Sequence, residues 1–291
     1  MMPGRDDEPD AAASGPSRGV RGRDRVFAAT RWVGIAIVPF LVIAAVLLFA
    51  FPTRTGELFA WAIAPPLSAF LLASAYVGGI WFFVRVAAAS QWHHVRHGFP
   101  AVVVFAGMLL IATLLHLDRF SSNLAFWTWI ALYATTPFAV TGLAVAQRHE
   151  DPRTPDAVDY RIPRLARGTL AGIGGCAFAF GAALFVVPQV AIPLWPWELT
   201  PLTAQVTGAV LSLTGVVNAG LLWDARWSAF RVLFQAQCLS LTTIAVSLVA
   251  RRDDLLWDRV LTPVFVSLVA VALLVYTGFA LWCDRRTRMA R

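Results

Sequence analysis

Lysine is missing altogether. All 24 basic side chains are arginine, set against 17 acidic ones, for a net charge of +7. Charge of either sign is scarce at 14% of 291 residues, where a soluble domain carries about 25% and needs it to cover its surface. Without lysine there is no retinal-type Schiff base. Cysteine is nearly missing too. Cys176, Cys238 and Cys283 have no C-x-x-C partner, which excludes a disulfide framework and a cysteine zinc site. The long apolar runs hold no mid-run Asp or Glu, whereas ion-coupled carriers and pumps usually place an ionisable group there. No G-x-S-x-G, Walker loop, H-E-x-x-H or Gly-rich nucleotide fingerprint occurs.

What remains is apolar: 58% of the chain is hydrophobic. It falls into eight runs near 32–52, 66–89, 100–117, 124–147, 168–188, 202–223, 230–250 and 260–283. Each approaches the ~20 residues that cross a ~30 Å hydrocarbon core as a helix. The expected fold is therefore all-α, an integral membrane bundle of eight helices. Gly56–Ala64 is expected to lie along the outer interface, because Leu58 to Ala89 is too long for one crossing. Residues 1–25, rich in Gly, Pro, Ser, Arg and Asp, read as a disordered cytoplasmic tail, and 285–291 as a second tail.

Arginine placement sets the orientation. With the N-terminus inside, 19 arginines fall on the inner side and 5 on the outer, so both ends are expected in the cytoplasm. The positive charge thus lies in loops beside spans, which favours the lipid bilayer over nucleic acid as partner. Eleven of the twelve tryptophans lie near span ends, the pattern of an interfacial belt.

The chain also echoes itself. Pro66-Leu67-Ser68-Ala69 leads to Trp92 and Arg96 as Pro201-Leu202-Thr203-Ala204 leads to Trp227 and Arg231, each pair 135 residues apart. Arg31/Arg167, Pro52/Pro188 and Thr141-Gly142/Thr277-Gly278 match at 136, and Asp118/Asp253 at 135. The reading is two parallel four-helix repeats, 26–147 and 167–284, joined by a proline-containing cytoplasmic linker at 148–166.

Few side chains suggest chemistry. Trp92/Arg96 and Trp227/Arg231 read as interfacial anchors, indole at the headgroups and guanidinium on phosphates. His93, His94 and His97 offer imidazoles, but no neighbouring carboxylate or cysteine in the sequence completes a metal site, and none is expected. No cofactor is expected either: a haem at His116 would need an axial histidine on another span. Glu57, His116, Asp118, Arg119, Glu198 and Asp253 gather at outer span ends as a candidate vestibule. Asn218, Gln235 and Gln237 form a candidate intramembrane polar path. In the fifth run Gly168 and Gly172, with Ala171, Gly175, Ala179 and Ala183, suggest a closely packed helix at the bundle centre or a dimer contact.

Ala64-Pro65-Pro66-Leu67-Ser68-Ala69, Ala112-Thr113-Leu114-Leu115-His116-Leu117-Asp118 and the run from Trp195 to Ala204 resemble a family of multi-pass membrane proteins from high-GC Gram-positive bacteria. The likeness covers most of 26–285 and implies fold and location, with no activity attached. Three functions fit. The first is permeation or carriage of a small neutral or lipid-like solute without ion coupling, with a site near Asn218 and Gln235. The second is a structural subunit that binds a membrane partner or a second copy. The third is an enzyme acting on lipid-linked substrates at the outer face through His116, Asp118 and Glu198.

Overall fold

The computed structural model describes residues 23–290. Most of the segment assigned to the N-terminal tail lies outside those residues. Among them are eight helices long and apolar enough to cross a membrane. They are α1 (Ala28–Ala50), α2 (Pro66–Ala88), α3 (Gly98–Leu115), α4 (Leu124–Ala146), α5 (Arg164–Val186), α6 (Pro201–Gly220), α7 (Trp227–Ala250) and α8 (Leu261–Met289). This is an all-helical chain, and eight apolar helices suggest a multi-pass membrane protein. No strand forms among the described residues, only three isolated bridges.

Local chemistry sets the helix starts. Pro66 and Pro201 occupy first-turn positions, where proline's missing N–H costs nothing. Thr200 caps α6 in a reciprocal box with Thr203. The Asn123 side chain takes the Phe126 N–H at 2.9 Å to cap α4. At the other extreme α8 runs on to Met289, so most of the expected C-terminal tail is helical.

Packing follows a regular scheme. α1 lies on α2 and α5 on α6; α2 meets α7 and α3 meets α6; α4 lies on α3 and α8 on α7; α2 and α6 touch at the centre. Every principal contact has a counterpart four helices along. α2 and α6 are the most enclosed, whereas α8 is almost wholly uncovered. Between α5 and α6 the backbones touch: a Cβ on Gly181 would stand 2.7 Å from the Gly208 carbonyl, and one on Gly215 2.9 Å from that of Gly174. Of the two places expected for the Gly168/Gly172 face, the bundle centre needs correction. Gly168, Gly172 and Gly175 face open space; the close-packing face of α5 is the Gly174/Gly181 side, two turns apart.

The connection from α1 to α2 also departs from expectation. Phe59, Ala60, Trp61 and Ile63 turn inward and are buried, with Trp61 edge-on to Trp129 at 4.8 Å. The Thr55 hydroxyl accepts the Ile63 N–H at 2.8 Å and closes the loop. Six tryptophans (Trp61, Trp92, Trp129, Trp195, Trp197 and Trp227) are buried in the protein. Aromatic partners near the helix ends help to cover them.

Candidate functional site at the linker end

Both described ends of the chain, the 89–97 and 221–226 turns and the 147–163 linker gather at one end of the bundle, here called the linker end. Two short extended segments pin it. Arg25 bridges Gln91, and Arg161 bridges Arg226 in the matching position of the second half. Asp24 accepts the His93 backbone N–H at 3.0 Å, and Asp159 accepts that of Ser228 at 3.0 Å. Both carboxylates thus cap from a distance the orphan donors that open a helical segment.

A buried ion network joins the halves. The Arg226 guanidinium donates to both Asp151 oxygens at 2.9 and 2.7 Å and to Asp224 at 2.7 Å. Arg96 reaches the same Asp151 at 2.6 Å, and the His97 ring approaches Asp224 at 3.0 Å. The Asp151 side chain is wholly enclosed. Burial alone would raise both carboxyls, but hydrogen bonds from Arg226 lower Asp151, and those from His97 and Arg226 hold Asp224 well below the usual carboxylate range. Arg226 is raised further still: burial opposes its charge and the two aspartates outweigh it. Burial lowers His97, against the pull of Asp224, and the ring lies flat on Phe230 at 4.5 Å. Two guanidiniums against two carboxylates make a neutral, hydrogen-bonded bolt.

Beside it stands a more open group. His93 is 1% exposed. Its Nδ1 lies 2.5 Å from Asp24 and its Nε2 3.2 Å from the Ser228 hydroxyl. Acid, imidazole and hydroxyl stand in the order of a serine-hydrolase relay. That hydroxyl, however, donates to Asp159 at 2.6 Å and has no proton to give His93. The linker adds Asp156, 3.3 Å from His93 Nε2 and 3.0 Å from His94 Nε2. One donor atom from each of His93, His94 and Asp156 lies within 4.8 Å of the others. A polar pocket of about 410 Å³ opens alongside, lined by His94, Asp156, Asp159 and Ser228 with Arg85, Arg231 and Arg288.

The residues singled out from sequence are dispersed differently. Trp92 and Trp227 are buried against protein neighbours. Arg231 and the Trp227 indole share Asp284 of α8 at 3.0 and 2.8 Å, and Arg96 belongs to the ion network. Fixed carboxylates within reach thus pair with both arginines. At the distal end Glu57 pairs with Arg54, Asp118 with Arg119, Glu198 with Arg259 and Asp253 with Arg252. Among the described residues no side-chain hydrogen bond or ion pair links His116 to any of them; only its backbone carbonyl accepts the Arg119 N–H, at 2.9 Å. In the interior Gln235 accepts the Trp81 indole N–H, Gln237 donates to Thr214, and Asn218 donates to Leu170 and Tyr276. These amides tie helices together, and Gln237 also lines a cavity.

Asp24, Asp151, Asp156, Asp159 and Asp224 were invisible as a group, because they come from three segments that meet only on folding. One signal was present: Asp24 and Asp159 stand 135 apart, the same interval as His93 and Ser228. The three-histidine set also resolves differently. Trp92–His94 is a single tight turn, not α-helix, so His97 points to Asp224 while His93 and His94 share Asp156.

A second feature lies between α1 and α4, which are not among the principal packing pairs. Two apolar clefts of about 480 and 580 Å³ open there and share Phe40, Thr128 and Leu132. They adjoin a smaller cavity of 120 Å³ that reaches α7 at Gln237 and Ser240. The Tyr76 and Tyr133 hydroxyls, 3.0 Å apart and buried, stand where cleft and cavity meet.

No family model matches the chain, and no curated protein or solved structure is similar to it.

Proposed function

We propose that this is an integral protein of a bacterial cytoplasmic membrane, linker end inward, that carries a small neutral or lipid-like solute without ion coupling. We read its eight helices as two parallel four-helix repeats. Matched contacts four helices apart support that reading, as do the paired Asp24/His93 and Asp159/Ser228 caps. The 19-to-5 arginine split supports the orientation.

One observation carries the function: the apolar fissure between α1 and α4, which ends at the Tyr76–Tyr133 hydroxyls. It faces the side that lipid would occupy. A wall of Phe40, Leu41, Leu132 and Trp129 admits acyl chains or apolar rings, and the two hydroxyls offer one polar contact at depth. The solute site thereby moves from Asn218 and Gln235, whose amides bond Leu170, Tyr276 and Trp81, to the first half.

Transfer of a fluorescent phospholipid between leaflets of proteoliposomes tests this. Wild type is expected to accelerate transfer over protein-free vesicles, and Leu132→Trp, which fills the shared wall of both clefts, to abolish the acceleration. Equal rates with and without protein would refute the proposal. A second reading, a partner-binding subunit, draws on α8, whose only principal contact is α7. Under it the phospholipid stays put and the chain co-purifies with a second copy or another membrane protein through α8.

A further inference from the structure

We propose a mononuclear transition-metal site for Zn²⁺ or a similar divalent ion, built from His93 Nε2, His94 Nε2 and the Asp156 carboxylate, at the linker end where the halves meet.

The distances suit it. Ligands bound to zinc at about 2.0–2.1 Å in a tetrahedron stand roughly 3.3 Å from one another. His93 Nε2 stands 3.3 Å from one Asp156 oxygen and His94 Nε2 3.0 Å from the other, one donor atom from each residue lies within 4.8 Å of the others, and the histidine rings are steeply inclined at 63°. Two imidazoles and a carboxylate form the borderline donor set that zinc favours over calcium or magnesium.

The surroundings of His93 make the stronger argument. Asp24 grips Nδ1 at 2.5 Å, which assigns the proton there and turns the Nε2 lone pair outward. A carboxylate behind a histidine is the usual orienting partner of a metal ligand. Nε2 then faces only acceptors: an Asp156 oxygen, and a Ser228 oxygen whose hydrogen goes to Asp159. Lone pairs at such range need a cation between them, a proton or a metal. A second imidazole on the same carboxylate, with donors within 4.8 Å of each other, provides for the metal. His93 is enclosed, whereas His94 and Asp156 are part-exposed at 30% and 28% of their side chains, so the ion has an entry path. Three protein ligands leave a fourth position open toward the 410 Å³ pocket, the layout of a site that exchanges water or an anion.

The site stands apart from the fissure. Loss of solute transfer would leave it intact, and its loss would leave the fissure.

The test is titration of the full chain, purified in detergent and stripped with chelator, with Co²⁺ as a spectroscopic stand-in for Zn²⁺. The expected result is a single equivalent with intense visible ligand-field bands, displaced by Zn²⁺. His94→Ala and Asp156→Asn should lose the bands. Asp24→Asn, which removes only the orienting charge, should keep the stoichiometry and weaken affinity by about 10–100-fold. His149→Ala, outside the cluster, should bind as wild type. Circular dichroism and gel filtration establish that each variant is folded. Folded wild type without saturable bands would overturn the proposal, as would bands that persist in folded His94→Ala or Asp156→Asn. Should both variants fail to fold, the wild-type titration decides by itself.

Discussion

Arg226 is the residue on which the linker end turns. It holds both Asp151 from the linker and Asp224 from the turn before α7 at 2.7 Å, whereas Arg96 meets Asp151 at 2.6 Å and Asp224 only at 3.5 Å. Removing it leaves two enclosed carboxylates facing only Arg96 and His97, and breaking a buried pair costs about 3–5 kcal/mol. Arg226→Leu should therefore lower the midpoint of thermal unfolding in detergent far more than Arg119→Leu, whose partner Asp118 is as exposed as it is. A shift no larger than that of Arg119→Leu would remove the network from the account. Its pH dependence has a definite sign. Asp151 and Asp224 have folded pKa values below their unfolded ones. Their contribution is fully present above the unfolded value, about 3.9, and fades as pH falls through the depressed folded values. Acid titration of unfolding should show a steeper loss below about pH 4 in wild type than in Asp224→Asn; parallel curves would contradict the assignment.

At the scale of the element, helix existence was legible and helix partnership was not. Run length alone located all eight helices to within a few residues, and Pro66, Thr200 and Pro201 marked two starts correctly. The reason is physical: a continuous apolar stretch has one way to satisfy its backbone. Which face meets which neighbour depends on shape, and there the placing of Gly168 and Gly172 at the bundle centre failed. Gly168 and Gly172 were as plausible on paper as Gly174 and Gly181; only the approach of α6 distinguishes them. Gly181→Leu should force α5 and α6 apart, at a cost of about 1–3 kcal/mol, and lower thermal stability. Gly172→Leu, with nothing within 4 Å, should leave it unchanged. Equal effects, read by the same thermal scan, would mean the two faces are misassigned. The linker-end acids were hidden for a related reason. Asp24, Asp156 and Asp159 lie in stretches whose composition reads as solvated loop, and their partners stand more than 60 residues away.

For the whole molecule, the central claim is that two like quartets of helices share one axis. His93 and Ser228, equivalent by position, touch each other at 3.2 Å, as residues beside such an axis should. Exposure agrees far from it: Val42 and Phe178 are 39% and 41% exposed, and Phe138 and Leu274 72% and 73%. The first pair lies on α1 and α5, the second on α4 and α8, each separated by 136 residues. The most direct measurement is electron–electron distance between spin labels in a lipid bilayer, after Cys176, Cys238 and Cys283 are replaced by serine or alanine. One sample carries Val42→Cys with Phe138→Cys, the other Phe178→Cys with Leu274→Cys. Two repeats of one architecture predict superposable distance distributions; distributions with clearly different means would contradict them.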